Sequence, residues 1–194
     1  MPDTLDVTVL ARMVIDELGG VVDTLKLQKL VYYCQAWHVT AFGAPLHSSK
    51  TEAWESGPVA RALWPQHRGR YKVRAEDLAA PSTLADEQSA DLVRSVVAYY
   101  RPFSGEQLED MTHQDAPWRD VFQPNQNREI TLGAMQQYYA GVLARGESHP
   151  QLPASSVHYA DATEHAAIRR AVATAVPGRP SVPLLDALRK ARSE

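Results

Sequence analysis

Residues 25–59 read LKLQKLVYYCQAWHVTAFGAPLHSSKTEAWESGPV, and this stretch decides the fold. Leu27, Leu30, Val31, Cys34, Trp37/His38 and Ala41 recur at the i, i+3, i+4, i+7 spacing that lays one apolar stripe along a helix. Tyr32, Tyr33, Trp37 and Phe42 widen the stripe, so this helix is expected to touch neighbours on more than one side. Gly43 then takes the left-handed position after a helix at low cost, and Pro45 cannot continue it. A short extended piece is expected at residues 51–55. Pro58, within Ser56-Gly57-Pro58-Val59, suits the first turn of another helix, where its missing N–H costs nothing.

Towards the N-terminus, Val7, Leu10, Ala11, Val14 and Leu18 predict an amphipathic helix opened by Asp3 or Asp6 and stopped by Gly19-Gly20. Asp23 or Thr24 then caps the central helix. On the other side, Val59, Ala62 and Leu63 form the stripe of the brief helix assigned to Pro58. Arg68, Arg70, Lys72 and Arg74 alternate with Gly69, Tyr71 and Val73, a period of two that predicts a strand with one basic face. Its expected partner is the acidic extended piece at 52–55. That basic face reads either as a solvated edge that deters aggregation or as a docking surface for an acidic partner.

Further on, Leu92, Val93, Val96, Val97 and Tyr100 line one helix, and Ser104 with Gln107 has capping-box form for the next. Asp115 can cap a short helix in which Pro117 occupies the first turn and Trp118, Val121 and Phe122 point inward. After a turn at 124–127, Thr131 caps a helix through Met135, Tyr138, Tyr139 and Val142 that ends near Gly146. Adjacent helical residues point about 100° apart, so one member of Tyr32-Tyr33 and of Tyr138-Tyr139 can be core while the other reaches the surface. Residues 147–156 read as a linker, followed by two short helices at 162–176 and 182–191 with a local basic excess.

Composition bounds the function. The 194 residues suffice for one core, and no apolar run approaches the roughly 20 residues that cross a bilayer. The start, MPDTLD, lacks the basic and apolar regions of a signal peptide, and a single cysteine fits a reducing compartment, so a cytoplasmic protein is expected. A net charge of −3 disfavours a dedicated nucleic-acid binder. The histidines are dispersed, with no spacing that ligates a metal and no cofactor fingerprint, so no metal, cofactor or catalytic residue is assigned. Cys34, on the apolar stripe, reads as a small buried hydrophobe. Thr112-His113-x-Asp115 is the most enzyme-like cluster, a general base with an orienting carboxylate. The preferred account is structural: His113 partly cationic at a helix C-terminus, and Asp115 as a cap.

The motif K-L-Q-K-L-x-Y-Y-x-Q-x-W carries Lys26, Leu27, Gln28, Lys29, Leu30, Tyr32 and Tyr33. Pro45-Leu46 and E-A-W-x-x-G-P-V follow, the latter with Trp54, Gly57 and Pro58, and then L-x-x-x-T-H-x-x-x-P-W with Thr112, His113, Pro117 and Trp118. In this order the blocks resemble the Panacea domain, also called the SocA-like or GepA-like antitoxin domain, over roughly residues 5 to 140; Tyr138-Tyr139 stand where that family places a closing helix. The resemblance implies a bacterial or phage-borne antitoxin, not an enzyme, that neutralises a cognate toxin by direct contact or delivers it to a protease complex. Most motif residues are then structural, and Tyr33, Arg70 and Lys72 are the expected partner-binding positions. A DNA-binding regulator using the basic strand or Arg169/Arg170, and a small enzyme on Thr112, His113 and Asp115, are the alternatives. The expected fold is mainly α, a domain at 1–145 of six or seven helices with a small two-stranded β element, followed by a linker and helical extension at 146–194.

Overall fold

Helix α1 (Val7–Glu17) starts where the Asp6 carboxylate accepts the Thr8 N–H at 2.7 Å, and ends where Gly19 and Gly20 take φ of +98° and +93°. The computed structural model describes residues 4–81 and 86–153. Those two glycines turn the chain into a short strand, β1 (Val21–Asp23), before Asp23 caps α2 (Thr24–Phe42) through the Lys26 N–H at 2.7 Å. Gly43, at φ +69°, ends α2 as expected. Every residue of α2 from Leu27 to Val39 is buried. The helix is therefore not amphipathic but central, with α1, α4 (Glu87–Tyr100), α5 (Gly105–Gln114), α7 (Leu132–Ala144) and a β-hairpin packed around it.

That hairpin corrects the expected role of Pro58. Strand β2 (Thr51–Trp54) turns at Glu55-Ser56 into β3 (Gly57–Ala60), pairing Ala53 with Pro58 and Trp54 with Gly57. The bond from Arg61 N–H to the Lys50 carbonyl sets the alternation, so Pro58 falls at a pair that exchanges no ladder bonds. On this edge strand its missing N–H is harmless, and no helix begins there. The next helix, α3 (Trp64–His67), instead takes Pro65 into its first turn.

The basic strand also finds another partner. Strand β4 (Lys72–Arg74) pairs antiparallel with β1, Val22 opposite Val73 and both buried, rather than with residues 52–55. The third strand beside β2 is β5 (Arg128–Glu129). The described residues thus hold seven α-helices, with α6 at Ala116–Arg119, and two small antiparallel sheets where one two-stranded element was expected.

Capping proceeds largely as the sequence dictates. Asp86 caps α4, Ser104 and Gln107 form the box at α5, and Thr131 caps α7. Residues 147–153, read as linker, pack back on α4: Tyr99 Oη donates to Ser148 Oγ at 2.8 Å and Ser95 Oγ to the Gln151 carbonyl at 2.6 Å. The expected helices at 162–176 and 182–191 lie outside the described residues.

Cys34 is fully buried, and burial raises its thiol well above the usual 9.0. A thiol reagent should label the native protein slowly and the denatured protein at once; fast labelling in buffer would place this face of α2 outside the core.

Candidate functional site

Lys29 is 0 % exposed in the middle of α2. Its ammonium donates to the Ser56 carbonyl at the tip of the β2–β3 hairpin and to the Pro58 carbonyl at 3.4 Å. One residue earlier, Gln28 Oε1 accepts the Ala60 N–H at 2.8 Å while its amide meets His67 Nε2 at 2.8 Å. Pro58 and Ala60 are the β3 residues whose backbone groups face away from β2. Gln28 and Lys29 therefore stand in for a neighbouring strand and close that edge. Burial lowers the pKa of Lys29 from 10.5 to about 8, against the raising pull of Glu109.

Gly57 fits because it must. At φ +91° it lies in the region that favours glycine, and a Cβ there would stand 2.7 Å from Lys29 Nζ and 2.9 Å from Thr112 Oγ1. Thr112 is fully buried and returns its hydroxyl to the Glu109 carbonyl at 2.8 Å. Next to it, the His113 ring stacks on Trp118, centroids 3.9 Å apart, and Trp118 stacks in turn on Phe122. Trp118 Nε1 donates to the Trp54 carbonyl at 2.9 Å, which ties α6 to the hairpin. Lys29, Trp54, Gly57, Pro58, Thr112, His113 and Trp118, distant in sequence, meet around one turn. Lys26 acts elsewhere, donating to the Arg101 carbonyl after α4 at 2.8 Å.

His113 lies in the last turn of α5 as expected, but its surroundings work against a cationic ring. Burial lowers its pKa from 6.5, with Lys29 adding to the shift and Glu109, Asp110 and the Glu55 backbone opposing it, and among the described residues its Nε2 has no hydrogen-bond partner. Asp115 does not orient it, and does not cap α6 with its side chain either. The carboxylate instead accepts Tyr138 Oη at 2.7 Å and Tyr139 Oη at 2.8 Å. Its pKa is raised by burial, with the two hydroxyls acting against the shift. Thr112, His113 and Asp115 are close in sequence but serve three separate contacts.

Tyr33, an expected surface anchor, is 1 % exposed, and its ring stacks on Tyr100 at 4.0 Å. The rule that one of two adjacent tyrosines reaches the surface fails on α2 because helices cover it on every side, and Tyr32 is buried as well. On α7 it holds better: Tyr139 is buried and Tyr138 half-buried. Arg70 and Lys72 are exposed, Arg70 pairing with Asp77 at 2.8 Å. Sequence reasoning passed over Arg61 and Trp64. Both Arg61 and Arg68 stand over the Trp64 ring, at 5.7 and 4.7 Å, and Trp64 leans on Trp54 with centroids 5.4 Å apart. The basic run was legible, but Pro65 hid the short helix that brings the indole beneath it.

The architecture is that of a mainly helical domain whose central helix pins a hairpin, with aromatic and arginine side chains at its outer flank. Residues 27–119 match the family model described as the SocA-like antitoxin, Panacea domain, and that match supports an antitoxin role at the level of the family. No curated protein and no solved structure matches the chain. Among the described residues no helix is long and apolar enough to cross a membrane, and no group of three or more His, Cys, Asp or Glu side chains is placed to hold a metal.

Stability should follow pH through opposed contributions. Between pH 8 and 10 the unfolded chain still holds the Lys29 proton that the folded chain has lost, so this one group raises stability by about 2 kcal/mol. Over the same range burial keeps the Cys34 thiol and the Tyr32, Tyr33, Tyr100 and Tyr139 hydroxyls protonated while the unfolded groups begin to ionise, which offsets the Lys29 gain, and above pH 10 stability falls. Below 6.5 it falls as well, since burial lowers His38, His47, His67 and His113 and only the unfolded rings gain protons readily. Urea midpoints from pH 4 to 11 should fall at both ends, and the stability of the parent relative to Lys29→Met should increase from pH 8 to 10; a difference that stays constant over that range would show that Lys29 does not titrate there.

The two hairpin tryptophans should differ. Trp118 is 8 % exposed, so Trp118→Ala should cost on the order of 3–5 kcal/mol. Half-buried Trp54 should cost less, about 1–2 kcal/mol. Equal losses in chemical denaturation would overturn this ranking.

Proposed function

We propose that this chain is a cytoplasmic antitoxin that neutralises a cognate toxin by direct protein–protein contact. The observation that carries the reading is the match over 27–119, whose motif residues converge on one pinned hairpin. A hairpin held from beneath presents its outer flank without the ordering cost a mobile loop would incur on binding. The side chains at that flank, Trp54, Trp64, Arg61 and Arg68, are of the types in which interface energy concentrates. They replace Tyr33 as first choices for partner contact. In an adaptor variant of the same function, the toxin would be held on this face while another surface meets a protease complex.

Co-expression with the product of the neighbouring gene should give a complex that survives size-exclusion chromatography and restores growth in cells expressing that product. His113→Ala should neutralise as well as the parent, since no proton transfer is asked of it. Asp115→Asn should act only through stability, about 1–3 kcal/mol from disturbing the two tyrosine bonds. If either variant folds and binds yet fails to neutralise, the contact mechanism is wrong and an enzyme built on these residues takes its place.

A further inference from the structure

Residues 61–75 contain Arg61, Arg68, Arg70, Lys72 and Arg74 and no acid, in a chain whose net charge is −3. The fold does not leave this run as one continuous stripe. Arg70 is matched by Asp77 at 2.8 Å and Arg74 by Glu76 at 3.7 Å, both supplied by the turn after β4. Arg61 and Arg68 instead converge on Trp64 from α3, with guanidinium carbons 5.7 and 4.7 Å from the ring centroid. Among the described residues Arg68 has no carboxylate within salt-bridge distance. The carboxylate beside Arg61 is Glu52, at 3.8 Å, and it is held more closely by Trp54 Nε1 at 2.8 Å.

A guanidinium placed over an indole engages the ring through its face. Its N–H donors lie in the guanidinium plane and remain free for the fork geometry that matches a carboxylate. Trp64 is therefore a shared platform for both side chains; among the described residues Arg68 keeps its donors clear of any carboxylate, and Arg61 stands only 3.8 Å from a Glu52 that Trp54 holds more closely. Two like charges gathered on one ring also repel each other, and an arriving anion relieves that repulsion.

We propose that Arg61, Trp64 and Arg68 form a carboxylate-binding site that takes an acidic segment of the partner protein. The assignment of that partner as the toxin rests on the antitoxin reading; the chemistry of the site does not. Charge complementarity favours an acidic peptide over nucleic acid. Affinity for a duplex or a strand grows with the number of phosphates neutralised, and Asp77 and Glu76 interrupt the basic run that would track a backbone. Two arginines ordered on one indole suit a local pair of carboxylates.

The test is fluorescence anisotropy of the full chain against a labelled Glu/Asp-rich decapeptide at low salt, with an oligonucleotide of equal charge in parallel. Saturable peptide binding is expected, weakened at least tenfold by Arg61→Gln, by Arg68→Gln and by Trp64→Ala. Arg68→Lys should fall between, since it keeps the charge and loses the fork. Arg145→Gln, at an exposed arginine beyond the end of α7, should bind like the parent. Arg61 and Arg68 are exposed and their variants should melt like the parent, whereas half-buried Trp64 packs on Trp54 and its variant should melt lower while still folded at the assay temperature. No peptide binding, an equal loss in Arg145→Gln, or tighter binding of the oligonucleotide would overturn the proposal. Peptide binding through these residues in a chain that forms no complex with the neighbouring gene product would support the site and sink the antitoxin reading instead.

Discussion

The structure depends on a helix that is buried on all sides and yet carries polar side chains. Gln28, Lys29, Gln35 and His38 lie within the buried run of α2, and each binds backbone from a segment that follows it. Gln35 holds both Leu46 and His47 N–H groups, and His38 meets the Ala44 carbonyl at 2.8 Å. Gln28 and Lys29 hold β3. Backbone brought against a helix without a strand beside it must otherwise lose its hydrogen bonds, at about 1–3 kcal/mol for each buried orphan. The side chains of α2 supply what a neighbouring strand would. An ammonium in this position is costly to desolvate, which is why its pKa drops. It persists because removing it would leave carbonyls at the hairpin without a donor.

From that constraint the rest of the site follows. Lys29 can reach the Ser56 carbonyl only if nothing stands between, so residue 57 must be glycine. With the tip held there, the Trp54 carbonyl is presented to the Trp118 indole, and α5 and α6 dock against the same turn. The covered β3 edge is also one less exposed template for pairing with another chain. A second polar centre, Asp115 with Tyr138 and Tyr139, joins α6 to α7 beyond the rings of Tyr32 and Trp37. Both centres are satisfied mostly inside the protein, which fits roles in holding elements together.

Much of this was legible in the sequence, and the failures have causes. Caps and stops are local, so Asp6, Asp23, Gly43, Ser104 and Thr131 act where their chemistry places them. Pro58 was ambiguous because a proline tolerates both a first helical turn and an edge strand, and only the pairing with Ala53 decides. The β1–β4 pair was missed because three residues between a double glycine and a helix cap carry almost no periodicity. Tyr33 and Asp115 were misread for another reason. Helical spacing tells which way a residue points, but not whether a further helix waits there, and α4 and α7 do. A run of motif residues too polar for a core stripe was the available sign that α2 is wrapped on every side.

That distinction between inward and outward positions bears on how such a domain meets a partner. Leu27, Gln28, Lys29, Leu30, Tyr32, Tyr33, Gly57, Pro58, Thr112, Pro117 and Trp118 are all buried, so the motif describes how the hairpin is held. A side chain that holds a buried carbonyl is not free to recognise another molecule. On the proposed contact mechanism recognition falls to residues that the scaffold leaves open, and Arg61, Trp64 and Arg68 lie between the motif blocks, beside the hairpin that the motif residues hold. Changing them alters charge and shape at the surface without disturbing Lys29 or its carbonyls. One interior can in this way support many different partner-facing surfaces, because the groups that fix the hairpin and the groups that face outward are different groups.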